Sequence, residues 1–535
     1  MGRAALARCV IMAHVMTVEV EERTSVRGST LGGVRDALLI TVAFLLLYIP
    51  FRSVDYDPNG IIEAANLEAG ILFSRNHIIY RSVGSALYSI AGSLGYAGRS
   101  LGVLQVLDAF CGAIGVGLAF VAFQKLGATR RSAFAGALLW GTSFIYWFYS
   151  TDVAYVTMAA MFTSAALLCA AILSERQSVS LAVLLGLCLA LATLTFQMTL
   201  LLFLPLLWPL RRRFRELTAC VVVAALIIGG SYVLLGLSEG HMKVADLLRW
   251  SGSYAGGLLP EWGRFEAGRI GVAMEAAVRS FQYDVFERFN DLLSHPFQRY
   301  AWRIAAGAVC LGSLALVTFL FAVREVFSNV RLIWMVGAYL ICFPFIVWFS
   351  PSESYWFLIP NLFLCGAATI AWNRWIARPP VYFFVFVAIG TMAAATFVSW
   401  VWRRHIDPGV VGRKVDCIAS LVQEKDLVVA TDWFWPPALS YFHGVRVLSV
   451  IDSASAIKDH EGLLSYMADE FRKTTQVGGR VFIVDPASYD EPHMSWLAQQ
   501  TTFSRADFDR FRGKPSFVCE DARFREVVTL VNGTE

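Results

Sequence analysis

Two aspartates, Asp55 and Asp57, stand two residues apart in VDYDPNG (residues 54–60). A carboxylate within hydrogen-bond reach of a hydroxyl can take its proton as the oxygen attacks an electrophile, a step worth roughly 10²–10⁴ in rate. Carboxylates this close can also share a proton, which raises one pKa. A third reading has them hold a divalent cation, Mg or Mn, through their oxygens. Pro58 fixes the chain after Asp57, and Gly60 permits close backbone approach. Arg75, His77 and Arg81 follow on the same stretch; Asp152, Tyr155 and Glu353 lie far off in sequence.

What could bring these residues together is set by composition. The chain has 535 residues, 57% hydrophobic and 16% charged. Soluble domains carry roughly 25% charge, so there is too little polar material to coat a soluble protein of this size. The composition is that of a polytopic membrane protein. The net charge of +4 gives no argument for nucleic acid. The ten cysteines are scattered singly, without a CxxC or a Cys/His cluster of metal-site spacing. A Cys417–Cys519 disulfide is conceivable, but the sequence offers no support for it.

About eleven apolar segments approach the roughly 20 residues a spanning helix needs. They are 36–51, 102–124, 132–149, 153–173, 179–194, 196–210, 217–237, 303–323, 332–349, 354–372 and 380–402. The pair 179–194 and 196–210 is short and reads equally as a hairpin broken near Thr195–Gln197. Five loops on one side are basic: KLGATRR (125–131), SERQ (174–177), RRRFRE (211–216), REVFSNVR (324–331) and NRWIAR (373–378). The positive-inside rule makes that side cytoplasmic, together with an N-terminal tail, 1–35. Its short apolar stretch runs into EVEER rather than a cleavage site, unlike a signal peptide. The other side then holds the external loops 52–101 and 238–302, the YSTD and SPSES turns, and everything after 402. Segment 78–97 carries Arg81 and small polar residues at amphipathic spacing, and reads as a helix lying in the outer interface.

Residues 403–535 have soluble composition. KDLVVATD (425–432), VRVLSVID (445–452) and GRVFIVD (479–485) read as short buried strands ending in Asp, with helical stretches between them. That alternation predicts a small parallel α/β domain on the outer side. No glycine-rich phosphate loop accompanies it.

With this topology Asp55, Asp57, Glu63, His77, Asp152, Tyr155 and Glu353 emerge on one side, at helix mouths. Three stretches then resemble GT-C-type integral-membrane glycosyltransferases, the superfamily of protein mannosyltransferases and aminoarabinose transferases. DPNGIIEAANLEAGILFSRNHIIY (57–80) resembles their first external loop. GTSFIYWFYSTDVAYVTMAAMF (141–162) resembles their third and fourth spans, and FSPSESYWFLIPNL (349–362) a late external loop. Two departures are an Asp-Tyr-Asp in place of adjacent Asp-Glu, and a His without a neighbouring Pro.

The resemblance implies a polytopic helical GT-C-like fold and a sugar donor linked through phosphate to a polyprenol. The acceptor would be an envelope glycan, lipid or protein, and the site would face the periplasm or cell exterior from a plasma or inner membrane. An acceptor hydroxyl, deprotonated by Asp57, would attack the anomeric carbon opposite the leaving phosphate and invert it. Asp55 would support Asp57 or ligate a metal. Arg75, His77 and Arg81 would face the phosphate, His77 having the alternative of a plain interfacial residue. Asp152, Tyr155 and Glu353 would line the donor and acceptor groove, with Asp152 otherwise capping the helix 153–173. Two other classes fit the same topology. One is a lipid-linked-glycan transporter or flippase, which would place polar groups at the bilayer midplane. The other is an O-antigen-type polymerase or ligase using basic residues of loop 238–302, namely His241, Arg249, Arg264, Arg269 and His295.

Overall fold

The computed structural model describes residues 32–74, 76–252, 266–283, 301–325 and 329–530, apart from 433, 458, 489–493, 496, 499–500 and 502. Arg75, Arg264, His295 and most of the N-terminal tail lie outside the described residues.

Among those residues, six helical runs have the length and apolarity to cross a membrane. They are Ser100–Lys125, Tyr155–Glu175, Phe214–Ser238, Ala305–Glu325, Val330–Phe349 and Pro379–Leu421. Shorter apolar helices, Val179–Thr195, Gln197–Leu210 and Pro360–Trp372, accompany them. The chain is thus multi-pass and mainly helical. In chain order the elements that frame the site are α1 (32–48), α2 (Pro58–Glu68), α3 (Tyr80–Ser93), α4 (Ser100–Lys125), α5 (Arg130–Gly141), α6 (Phe144–Thr151), α7 (Tyr155–Glu175) and α8 (Val179–Thr195). Helices α4 and α7 bury alanine-rich faces, including Ala109, Ala113, Ala119, Ala159, Ala160 and Ala166, each fully buried. Small side chains let the two backbones approach where lipid supplies no hydrophobic drive.

The span expected over 132–149 is two helices, α5 and α6. The Thr142 and Ser143 hydroxyls donate back to the Leu138 and Trp140 carbonyls at 2.8 and 2.7 Å. Such bonds compete with the helix ladder, and the freed Phe144 and Ile145 amides donate instead to Phe281 and Ser280. The chain also breaks at Phe196, which is extended and leads from α8 into a 3₁₀ turn, Gln197–Leu202. Helix α3 has 14 residues, about 21 Å, short of the ~30 Å hydrocarbon thickness. It leaves Val83, Ile90 and Leu94 exposed.

The basic loops meet at one end of the bundle. Arg130 pairs with Asp36, Arg331 with Glu175, and Arg374 with Glu325. Asn373 bonds both Thr129 and Gly127. At the opposite end Ser53 bonds Thr151, and Val54 bonds the Arg404 carbonyl. The contacts place these basic loops at one end and the residue 53–54 segment at the other.

Past Ile406 a helix, Gly409–Leu421, leads into a five-stranded sheet. The strands are β1 (Leu427–Ala430), β2 (Arg446–Ser449), β3 (Val481–Val484), β4 (Phe511–Cys519) and β5 (Ala522–Leu530), in the order β2-β1-β3-β5-β4 across the sheet. The first three are parallel, as the sequence suggested. The antiparallel hairpin β4–β5 was not foreseen, because FRGKPSFVC carries glycine, proline and charge. Strands β1 and β3 are buried along their whole length, as central parallel strands are. Leu427, Val429, Val481 and Ile483 face the helix His460–Gln476. Val428, Ala430, Phe482 and Val484 share a core with Ile61, Ala64 and Leu67 of α2 and Leu104 of α4. Helix α2 is thus held between the bundle and the sheet. Cys417 and Cys519 form a disulfide across this region.

Candidate active site

Asp57 caps α2. Its Oδ1 accepts the Asn59 amide at 2.8 Å, and Pro58 occupies the first helical turn, where its fixed φ and missing N–H cost nothing. Gly60 explains the approach of α2 to the bundle: a Cβ there would lie 2.7 Å from the Val153 carbonyl oxygen. The adjoining residue, Asp152, accepts the Asp57 amide on its Oδ2 at 2.9 Å. The cap residue is therefore fixed from both sides, by its own helix and by the turn between α6 and α7.

Asp152 is fully buried. Its Oδ1 accepts the Val153 amide at 2.8 Å, and its Oδ2 also accepts Arg404 Nη2 at 2.7 Å. It does not cap α7, whose N-cap is Ala154. Arg404 comes from the short helix Trp402–Ile406 that ends the last span. It donates to the Asp55 carbonyl, pairs with Asp55 Oδ2 at 3.5 Å, and lies over the Phe148 ring at 3.9 Å. Its Nη1 is buried without a partner among the described residues. One guanidinium thus ties Asp55 and Asp152 together beside Asp57.

Burial, reinforced by the Asp152 charge, pushes the Asp57 carboxyl up to about 6. Burial also raises Asp55, with Arg404 acting against it. Tyr149, three residues before Asp152, packs edge-on against Tyr355 at 6.3 Å, two residues after Glu353. Glu353 is exposed overall, and partial desolvation of its carboxyl raises the pKa.

The remaining sequence candidates divide. Arg81 is buried in a two-pronged ion pair with Glu63, at 2.6 and 3.0 Å, which fastens α3 to α2. Both its Nε and Nη2 are engaged there. His77 is buried, stacked on Tyr155 at 3.3 Å, with Nδ1 3.0 Å from the Thr195 carbonyl. A carbonyl only accepts, so Nδ1 carries the proton. Burial lowers the His77 pKa to about 4, so it is neutral near pH 7. Tyr155 thereby belongs to a wall of rings with His77, Tyr80 and Phe196.

Two residues of the constellation escaped the sequence reading. Arg404 looked like the start of the soluble segment; the signal was an arginine one helical turn past the aromatic end of the last span. Asp108 sits inside α4 and is fully buried. It accepts Tyr80 Oη, Thr157 Oγ1 and the Ala154 amide at 2.6, 2.6 and 2.9 Å. A lone acid in the run VLQVLDAFCG was the available signal. Tyr80 is consequently a buried donor.

A divalent ion would need more than Asp55 and Asp57. Arg404 occupies the position between Asp55 and Asp152 that a shared cation would take. Among the described residues no three His, Cys, Asp or Glu side chains converge. The chemistry below is derived from the side chains alone. What the arrangement offers is a carboxylate of raised pKa at a helix cap, held by a buried acid–arginine pair.

No protein-family model and no curated protein matches the sequence. Solved structures do match the fold. ArnT from Cupriavidus metallidurans bound to undecaprenyl phosphate is 13% identical, with a TM-score of 0.56 covering 94% of this chain and 99% of that one. Apo ArnT from the same organism is 12% identical, with a TM-score of 0.56 covering 96% and 100%. The Archaeoglobus fulgidus oligosaccharyltransferase, in complex with Zn and sulfate, is 11% identical, with a TM-score of 0.51 covering 91% and 73%. The chain therefore has the GT-C fold, shared along nearly its full length with an aminoarabinose transferase and an oligosaccharyltransferase.

Proposed function

We propose that this protein is a membrane glycosyltransferase. It moves a sugar from a polyprenyl-phosphate-linked donor to an envelope glycan, lipid or protein at the outer face of the membrane. The observation that carries the reading is Asp57: a carboxylate with its pKa raised to about 6, clamped through its backbone to the buried Asp152–Arg404 pair. That pair lies in a fold shared with an enzyme that holds undecaprenyl phosphate.

In this reading Asp57 accepts the proton of the acceptor hydroxyl as its oxygen attacks the anomeric carbon. A base with a pKa near the working pH is largely ionised yet basic enough to take that proton. Attack opposite the departing phosphate inverts the anomer without a covalent enzyme intermediate. Asp152 and Arg404 position the base; Arg404 also supplies fixed positive charge beside the acids. Of the basic residues assigned to the phosphate, Arg81 is engaged by Glu63 and His77 is neutral. Arg75 is the remaining sequence candidate for that contact. Tyr155 and Glu353 border the groove. The Cys417–Cys519 disulfide supports an oxidising compartment for residues 403–535, and so the external side for the site.

The test is Asp57→Asn. Asparagine caps helices as well as aspartate does, so the fold is kept and the base is lost. Transfer should fall by roughly 10²–10⁴ while undecaprenyl phosphate still binds. Unchanged transfer would remove Asp57 from the mechanism.

A further inference from the structure

A cavity of about 630 Å³ opens between α2 and the sheet. Its walls are one face of α2 with Arg99 on one side, and the segments after β1 and around β2 on the other. It therefore lies at the carboxyl ends of two parallel strands, where open α/β sheets bind their ligands. It also begins close to the base. Ile62, the first α2 residue in its wall, is five residues from Asp57, about 7 Å along the helix, and Glu68 is about 16 Å along it.

One wall is rigid and already satisfied. Glu68 Oε1 accepts Tyr441 Oη at 2.7 Å and both the amide and hydroxyl of Ser100 at 2.9 Å. Its Oε2 accepts Arg99 Nη2 at 3.0 Å, and the Arg99 guanidinium covers the Tyr441 ring at 3.7 Å. Glu68 and Arg99 thus neutralise each other. The other polar groups have capacity to spare. The Asn66 amide and the Asp452 carboxylate take no partner among the described residues, and Asp432 uses only Oδ1, on the Phe434 amide at 2.8 Å. The cavity therefore presents two carboxylates without a compensating cation, one amide, and apolar surface from Ile62, Ala65 and Val447.

We propose that this cleft binds the acceptor, and that the acceptor is a saccharide, neutral or amino-bearing. Sugar hydroxyls donate to carboxylates, and an amide both donates and accepts. C–H faces of a pyranose suit the apolar strip. Phosphorylated or uronic acceptors are disfavoured, because they would face two like charges. The word acceptor rests on the transferase reading; the binding itself does not.

The experiment uses the purified full-length chain in nanodiscs. Three labelled oligosaccharides of equal length serve as probes: a neutral manno-oligosaccharide, an amino-bearing chitosan oligomer and an acidic oligogalacturonate. The expected result is binding of the neutral or the amino-bearing probe over the acidic one. The double variant Asn66→Ala with Asp452→Asn should weaken it by about tenfold or more, and Ser449→Trp, which fills the cleft, should abolish it. Thermal melts check folding; if Ser449→Trp fails to fold, the polar double variant carries the test. Binding of none of the probes, strongest binding of the acidic one, or equal affinity in a folded variant overturns the proposal. A wild-type protein that transfers no sugar from any polyprenyl-phosphate-linked donor would sink the transferase reading and leave this binding result standing.

Discussion

Replacing Arg404 with glutamine leaves Asp152 as a buried charge with two backbone amides and no counter-ion. Both partners are out of water, at 0% exposure for the Asp152 side chain and 8% for that of Arg404. Removing one member of such a pair costs about 3–5 kcal/mol, because the other is stranded in low dielectric. The loss also reaches the Asp55 carbonyl, the second acceptor of Nη2. An internal control is Arg472–Asp469, with side chains 62% and 51% exposed, where an exposed pair is worth ~0–1 kcal/mol. The assay is thermal unfolding of the purified protein in one detergent for R404Q, D152N, the double variant and R472Q. R404Q should melt well below wild type and R472Q close to it. The double variant should be more stable than the sum of the single losses, since it leaves no unpaired charge. R404Q melting with wild type, or strictly additive losses, would refute the clamp as the structural basis of the site.

Three other outcomes follow from the same geometry. Gly60→Ala should push α2 off Val153, where the new Cβ would meet the carbonyl oxygen at 2.7 Å; transfer should drop at least tenfold, measured against donor binding that stays intact. Cys417→Ser should lower the melting temperature by an amount equivalent to about 2–5 kcal/mol, because the bond closes a long loop between residues 102 apart; non-reducing gels should show the wild-type bridge. Asp57→Asn should change the pH dependence of stability. The folded-state pKa of about 6 lies above the ordinary 3.8, so the contribution of this group is full below pH 4 and is lost as pH rises through 6. The variant should melt with wild type at pH 4 and above it at pH 8.

How much could be read from the chain depended on whether a signal was local. Loop charge placed Asp55, Asp57 and Asp152 on one side, and the fold joins them there, because side is a property of topology alone. Gly60 was legible as a close-approach residue because Asp57, Pro58 and Gly60 form one cap. Arg404 was not, since its partner Asp152 is 252 residues away and nothing near it in sequence demands a carboxylate. Arg81 illustrates the reverse. Its charge suggested a phosphate ligand, yet its partner Glu63 is 18 residues back, and only the packing of α2 on α3 brings them together. His77 was read from residue type, whereas burial against Tyr155 and Thr195 decides its protonation state. The helix break at Thr142–Ser143 was hidden by the apolar residues on either side.

The central claim is that Asp57 acts as the base at a pKa set by its surroundings, and the pH dependence of kcat/KM tests it most directly. With a pKa of about 6, about one-tenth of the base is ionised at pH 5 and about nine-tenths at pH 7. The rate should therefore rise about tenfold between them. Asp152→Asn removes the charge that adds to burial in raising Asp57, so its acid limb should move to lower pH. A profile flat across pH 6, or an acid limb unmoved in Asp152→Asn, would contradict the account.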